Sequence, residues 1–234
     1  MDVSELLARY EARGDERDYL AAKPLFEKAI AEAEDARLLT GYGYLLESHG
    51  RNELRQAVGL YERAIELDPD DDKPHYDLIG AHAGLREPER AVALYEQRLA
   101  TSPESLREHR FLGHAYLTTH DYTRALETVE AGLALAPDDA VLIAVRGEAK
   151  AGLGDTEGAL GDWRHALQLD PEDIGALYSS AFLLEREGRL EESAAAWQAI
   201  IDWNDAREQS LETEWPKREL RRLRAELAAL TGEQ

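Results

Sequence analysis

Four prolines, Pro69, Pro103, Pro137 and Pro171, stand at a constant spacing of 34 residues. Each follows an apolar run with helical spacing: "RAIELDP", "QRLATSP", "AGLALAP" and "RHALQLDP". Proline has no N–H to give to a helix interior, so each one ends the run before it. Alanines keep the same step ahead of the prolines, at Ala57, Ala91, Ala125 and Ala159. Four residues after each alanine comes a ring or a branched side chain: Tyr61, Tyr95, Val129 and Trp163. A fixed period of this size restricts the chain to a solenoid of stacked units. Each helix is too short, and its apolar face too narrow, to be stable alone, so neighbours must share their apolar flanks.

In "REHRFLGHAYLTTHDYTRALETVEAGLALAP" the residues Leu112-Gly113, Tyr116, Ala125 and Pro137 recur in register with Gly147, Gly154, Ala159, Trp163, Ala166 and Pro171 of the following stretch. On these positions the chain resembles the tetratricopeptide repeat family, whose unit is a helix–turn–helix of 34 residues. The resemblance implies an all-α, right-handed α-solenoid of about six helix pairs with a C-terminal capping helix, one domain over residues 1–234. The approximate units are 1–35 (degenerate), 36–71, 72–105, 106–139, 140–173 and 174–206, with a final helix in 207–234. Three departures from the pattern stand out. The turn around "ESHGRNELRQA" is about two residues long, Pro24 lies inside the second helix of the first unit, and the last unit has no closing proline. Irregular ends are expected, because a terminal repeat faces water on one side.

The acidic turn "LDPDDDKP" then reads as punctuation. Pro69 ends one helix, and Asp70 to Asp72 open the next, where free backbone N–H groups and the helix dipole favour negative charge. Pro74 suits the first helical turn. Ser105 and Glu108 read as a capping box at the equivalent place. A calcium loop counted from Asp68 would need glycine where Lys73 stands and glutamate where Ile79 stands, so that alternative fails.

Charge and composition exclude several functions. A net charge of −21 on 234 residues repels phosphate, which argues against nucleic acid, and disfavours anionic membrane surfaces. With no cysteine there is no disulfide, thiolate metal site or cysteine nucleophile. No signal peptide or bilayer-length apolar run is visible, so a cytoplasmic location is expected; the excess of arginine over lysine hints at a bacterial source. "GYGYLLE" lacks the third glycine and the preceding strand of a dinucleotide fingerprint, and no phosphate loop, nucleophile elbow or His-Glu-x-x-His occurs. The expectation is a non-enzymatic chain with no cofactor.

Histidines give two readings. His75 and His109 occupy one position in successive units, with His82, His114 and His120 on nearby turns. One reading is a zinc or iron site between adjacent repeats. The other, which the missing i,i+4 ligand spacing favours, is imidazole in place of an aromatic at a half-buried stacking position.

The resemblance also implies that the first helix of each pair lines a concave groove. Carried over residue by residue, that wall is Arg37, Thr40, Tyr44 and Glu47, then Lys73, Tyr76 and Gly80, then Arg107, Arg110, His114 and Leu117. Val141, Ala144 and Glu148 follow, then Tyr178, Phe182, Glu185 and Arg186. Lys73, Arg107 and Arg110 would form a positive spot that selects a carboxylate or other acidic group; the opposing reading pairs these cations with neighbouring acidic side chains. Tyr178 and Phe182 would supply an apolar anchor site for an extended or helical peptide. The asparagines that chaperone-tail clamps use on these helices are missing, since Asn52 and Asn204 lie outside the groove.

After Trp215-Pro216, the residues Leu220, Leu223, Leu227 and Leu230 form one stripe on the last helix. The stripe reads as a cap over the final repeat; the alternatives are a partner helix, a homo-oligomer contact or a membrane-surface segment. Lys217, Arg218, Arg221, Arg222 and Arg224 crowd its first half, where the dipole disfavours cations, and capping alone leaves that unexplained. The leading expectation is an interaction scaffold that holds a protein or peptide in its groove. The alternatives are an accessory or metal-binding subunit of a biosynthetic enzyme, and self-association through the last helix.

Overall fold

The computed structural model describes residues 16–32, 35–49, 51–172, 174–206 and 214–231. Among them are twelve α-helices and no strand. They are α1 (Glu16–Glu32), α2 (Ala36–His49), α3 (Arg51–Leu67), α4 (Lys73–Gly84), α5 (Pro88–Thr101) and α6 (Leu106–Thr118). The rest are α7 (Tyr122–Leu135), α8 (Ala140–Gly152), α9 (Thr156–Leu169), α10 (Gly175–Arg186), α11 (Leu190–Ala206) and α12 (Glu214–Thr231). The chain forms two compact units, residues 1–121 and 122–234.

In the first unit each helix packs on the next, and α4 also lies against α2 and α6. In the second unit α8 lies against both α7 and α9, α10 against α9 and α11, and α12 against α11. This is an all-α helical repeat fold. The periodic residues form its interior: Ala57, Ala91, Ala125 and Ala159 are all buried, as are Tyr61, Tyr95, Val129 and Trp163. Glycine on a first helix makes room for the ring on the second. A Cβ on Gly147 would stand 2.6 Å from Trp163 Nε1, and one on Gly43 would stand 2.5 Å from Tyr61 Cε1.

The turns repeat with the same period. Arg86, His120, Gly154 and Gly188 all have positive φ, at 63°, 58°, 87° and 72°. Each follows a first helix and swings the chain into the second in the left-handed conformation that favours glycine. His120 is thus a turn residue. In α1, Pro24 sits mid-helix and deprives the Leu20 carbonyl of its partner, on a side where Leu20 is exposed and water can replace it.

Two capping expectations need correction. Asp72 stands at the start of α4 but makes no side-chain cap; the Oδ1 atoms of Asp68 and Asp71 instead accept from the backbone N–H groups of Asp70 and Lys73, at 3.2 and 3.0 Å. Ser105 does cap α6, its hydroxyl accepting from Glu108 N at 3.3 Å. The reciprocal half of the box fails because the buried Glu108 carboxylate takes Arg98 Nε, 3.0 Å from each oxygen. A charged donor outcompetes a backbone N–H.

Candidate functional site

The first helices α2, α4 and α6 carry eleven of the expected wall residues, all in the first unit. Arg37 and Lys73 are exposed, and Tyr44 and Tyr76 are half-buried. Lys73 Nζ lies 5.5 Å from the centre of the Tyr44 ring and 2.7 Å from Asp77 Oδ2. Tyr76 meets His114 and Phe111 edge-on, at 5.4 and 5.1 Å between ring centres. Burial lowers the pKa of His114, so it presents a neutral ring. Thr40 does not join this wall: it is buried, its hydroxyl donating to the Ala36 carbonyl at 2.8 Å. Glu47 accepts from the Tyr61 hydroxyl at 2.8 Å, and burial raises its carboxyl.

The cationic spot is not as expected. Arg107 is held by the acidic turn: Nη1 donates to the Pro69 carbonyl at 2.5 Å and to Asp70 Oδ1 at 2.9 Å, Nη2 donates to the Asp70 carbonyl, and Nε lies 2.8 Å from Asp72 Oδ1. Arg110 Nη1 is 3.9 Å from Asp72 Oδ2. The two arginines neutralise "DPDDD" rather than wait for a ligand carboxylate, because Asp70 and Asp72 both lie within reach of the Arg107 guanidinium.

The two histidines at the shared repeat position are engaged within the fold. His75 is buried, stacks on Phe111 with ring centres 4.4 Å apart, and bonds the Tyr95 hydroxyl through Nδ1 at 3.0 Å. His109 Nδ1 bonds the Ser105 carbonyl at 2.8 Å. Among the described residues no group of three or more His, Asp or Glu side chains is placed to hold a metal ion.

In the second unit the expected apolar anchor site gains a residue and loses depth. Trp215, from the first turn of α12, stacks on Tyr178 at 5.7 Å and leans on Phe182 at 5.9 Å, with the buried Trp197 behind at 5.2 Å. What remains open is a ledge of Phe182, 49% exposed, and Trp215, 40% exposed. Sequence reasoning used Trp215 only as a boundary; four tryptophans gathered in the last third were the available sign.

The same helix corrects two further expectations. Leu220 and Leu223 are buried against Trp197, Ile200 and Ile201, and Leu227 is partly buried beside them, so they cannot form a contact between copies. Only Leu230 of that stripe is free, at 73% exposure. Capping accounts for three of the five cations of the basic cluster. Arg222 Nη2 bonds Glu185 of α10 at 2.5 Å, Lys217 Nζ lies 3.8 Å from Asp205 of α11, and Arg224 bonds Gln198 of α11 at 3.2 Å.

One ionic cluster has no counterpart in the sequence reading. Asp162, buried on α9, accepts Arg146 at 2.7 and 2.9 Å and lies 2.8 Å from Lys150 Nζ, both from α8. Burial would raise this carboxyl, but the bonds from Arg146 and Lys150 hold it below the usual range.

Two family models, both described as tetratricopeptide repeat, match the chain, one over residues 112–176 and the other over 7–72, 50–105 and 76–140. No curated protein sequence matches it. Among solved structures it is similar to a thermophilic TPR protein of Thermus thermophilus, at 22% identity and a TM-score of 0.58, covering 82% of this chain and 98% of that one. A tetratricopeptide repeat protein from Parabacteroides merdae ATCC 43184 aligns at 15% identity and a TM-score of 0.53, covering 94% and 93%. Yeast Tom70 aligns at 16% identity and a TM-score of 0.62, over all of this chain and half of its own length. No described helix is long and apolar enough to cross a membrane.

Proposed function

The chain belongs to the tetratricopeptide repeat family, and from that membership we propose that it is a non-catalytic scaffold whose second unit holds a peptide or protein segment by an apolar anchor on the Phe182–Trp215 ledge. The observation that carries this reading is the exposure of two large aromatic rings that folding could have covered. Such rings dominate the energetics of recognition surfaces, because they bury much area with few rotors. Arg218 and Arg222, on the same helix, are already engaged by Glu219, Glu185 and Glu226, so the anchor is read as apolar alone. In the first unit the exposed Arg37 is the cation offered to an acidic group, while Lys73, beside Tyr44, is already paired with Asp77. The acidic field of the whole chain favours a neutral or basic partner elsewhere along its length.

Affinity capture from the native lysate, run in parallel with the chain and with Phe182→Ser, tests the reading. The expected outcome is a partner retained by the first and lost from the second at unchanged helicity. A partner captured equally by both removes the ledge as the anchor site.

A further inference from the structure

Away from the ledge, an open trough of about 430 Å³ runs between α9 on one side and α10 and α11 on the other. That volume falls in the range of small-molecule sites. Leu160 and Leu167 of α9 face Leu177 and Leu184 of α10 along it. From Glu157 to Leu167 the trough follows ten residues of helix, about 15 Å at 1.5 Å per residue. Arg189 closes one end by bonding Glu157 at 2.5 Å and Glu192 at 2.7 Å.

Two departures from the repeat create this space. At successive steps of 34 residues before Ser180 stand Arg146, Leu112 and Leu78. Leu78 and Leu112 are buried. Serine at this register leaves out a leucine's volume, and its own hydroxyl is turned back to the Ala176 carbonyl at 2.7 Å. The same steps before Arg164, on the rim, give Glu130, Glu96 and Glu62. The trough therefore lies between two adjacent repeats, one that reverses the charge at the mouth and one that gives up a large side chain. Arg164 is exposed, and among the described residues no ion pair engages it.

We propose that this trough is a binding site for a small amphiphilic carboxylate, its apolar chain lying along the four leucines and its head on Arg164. An apolar slot alone would accept any hydrocarbon. A guanidinium at its rim, on a chain that otherwise repels anions, selects the carboxylate by charge-assisted hydrogen bonds. The trough shares no residue with the Phe182–Trp215 ledge, so the two sites stand or fall separately.

Titration calorimetry of the full chain with decanoate, below its micellar range, tests the site. Saturable binding at one site per chain is expected, about tenfold weaker for decanol and for Arg164→Glu, the loss typical of a charged hydrogen bond. Ser180→Leu places here the leucine found at Leu78 and Leu112, and is expected to abolish binding while keeping or raising the melting temperature. Should that variant misfold, Arg164→Glu, at an exposed position, decides alone. No saturable binding by the unaltered chain, or binding that Arg164→Glu leaves unchanged as in adsorption to exposed surface, overturns the proposal.

Discussion

Arg107 and Asp72 are joined across a repeat, with Arg107 Nε 2.8 Å from Asp72 Oδ1, so that the start of α6 is fastened to the turn that opens α4. The same guanidinium reaches two backbone carbonyls of that turn, at Pro69 and Asp70. Carbonyls at a helix end need donors, and the paired carboxylates of Asp70 and Asp72 need a cation. Arg107 meets both needs, which ties it to folding before any ligand arrives.

Arg107→Ala is therefore expected to cost about 1–2 kcal/mol, more than an ordinary exposed ion pair, because buried and backbone acceptors lose their donor with it. Urea unfolding of Arg107→Ala, Asp72→Ala and the double variant checks this. A cycle with no coupling between the two would mean that the pair contributes nothing. Reversing Arg107 and Arg110 together lowers stability as well, so loss of partner capture in that variant does not by itself report on binding.

Gly147→Ala and Gly161→Ala should have opposite signs. The first places a methyl 2.6 Å from the Trp163 indole, whose Nε1 bonds the Ala144 carbonyl at 3.2 Å, and overpacking is expected to cost about 1–3 kcal/mol. The second meets nothing within 4 Å on an exposed face of α9 and should gain about 0.5–1 kcal/mol from helix propensity. Thermal unfolding of both distinguishes packing from propensity.

Acid should weaken the first unit before its carboxylates titrate. Burial, reinforced by the Arg98 charge, pushes His75 down to about 4, and burial lowers His82 too. Between about pH 6.5 and 4 the unfolded chain takes up protons that the folded chain refuses, so stability falls as pH drops through that window and levels off below it. For His75 alone the loss is about 3 kcal/mol at most. His75→Phe keeps a ring on Phe111, and the difference between its stability–pH curve and that of the unaltered chain should lie in this window. Parallel curves would refute the assignment.

Leu223→Ala should cost about 2–4 kcal/mol, because the side chain is fully buried beside Trp197 and Ile200. Near-ultraviolet dichroism of the tryptophans should lose intensity with it, as α12 loosens over Trp197. Leu230→Ala, at an exposed position, should change neither.

The architecture was legible in the sequence because its signal is periodic. Ala57 to Ala159 and Tyr61 to Trp163 recur in register, and each repeat asks the same thing of its neighbours. Even the extra two residues between α2 and α3 are readable: Gly43 meets Tyr61 at a separation of 18, whereas Gly147 meets Trp163 at 16. The candidate site was only half legible. Which helix carries a residue follows from its phase, but what that residue touches depends on side chains a full repeat away. Trp215 covering Tyr178, and Arg222 reaching Glu185, join α12 to α10, and no local pattern announces either.

The sequence by itself thus determined the repeat and the buried stripe, both of which follow from short-range periodicity and the need of each apolar face for a cover. Only the tertiary structure decided which charges are already spent and which rings stay open. Ion pairing and ring exposure depend on distances of a few ångströms between residues far apart in the chain, and the period leaves those distances undetermined. Arg107 and Phe182 stood alike as wall residues; folding engaged the one with Asp72 and left the other facing water.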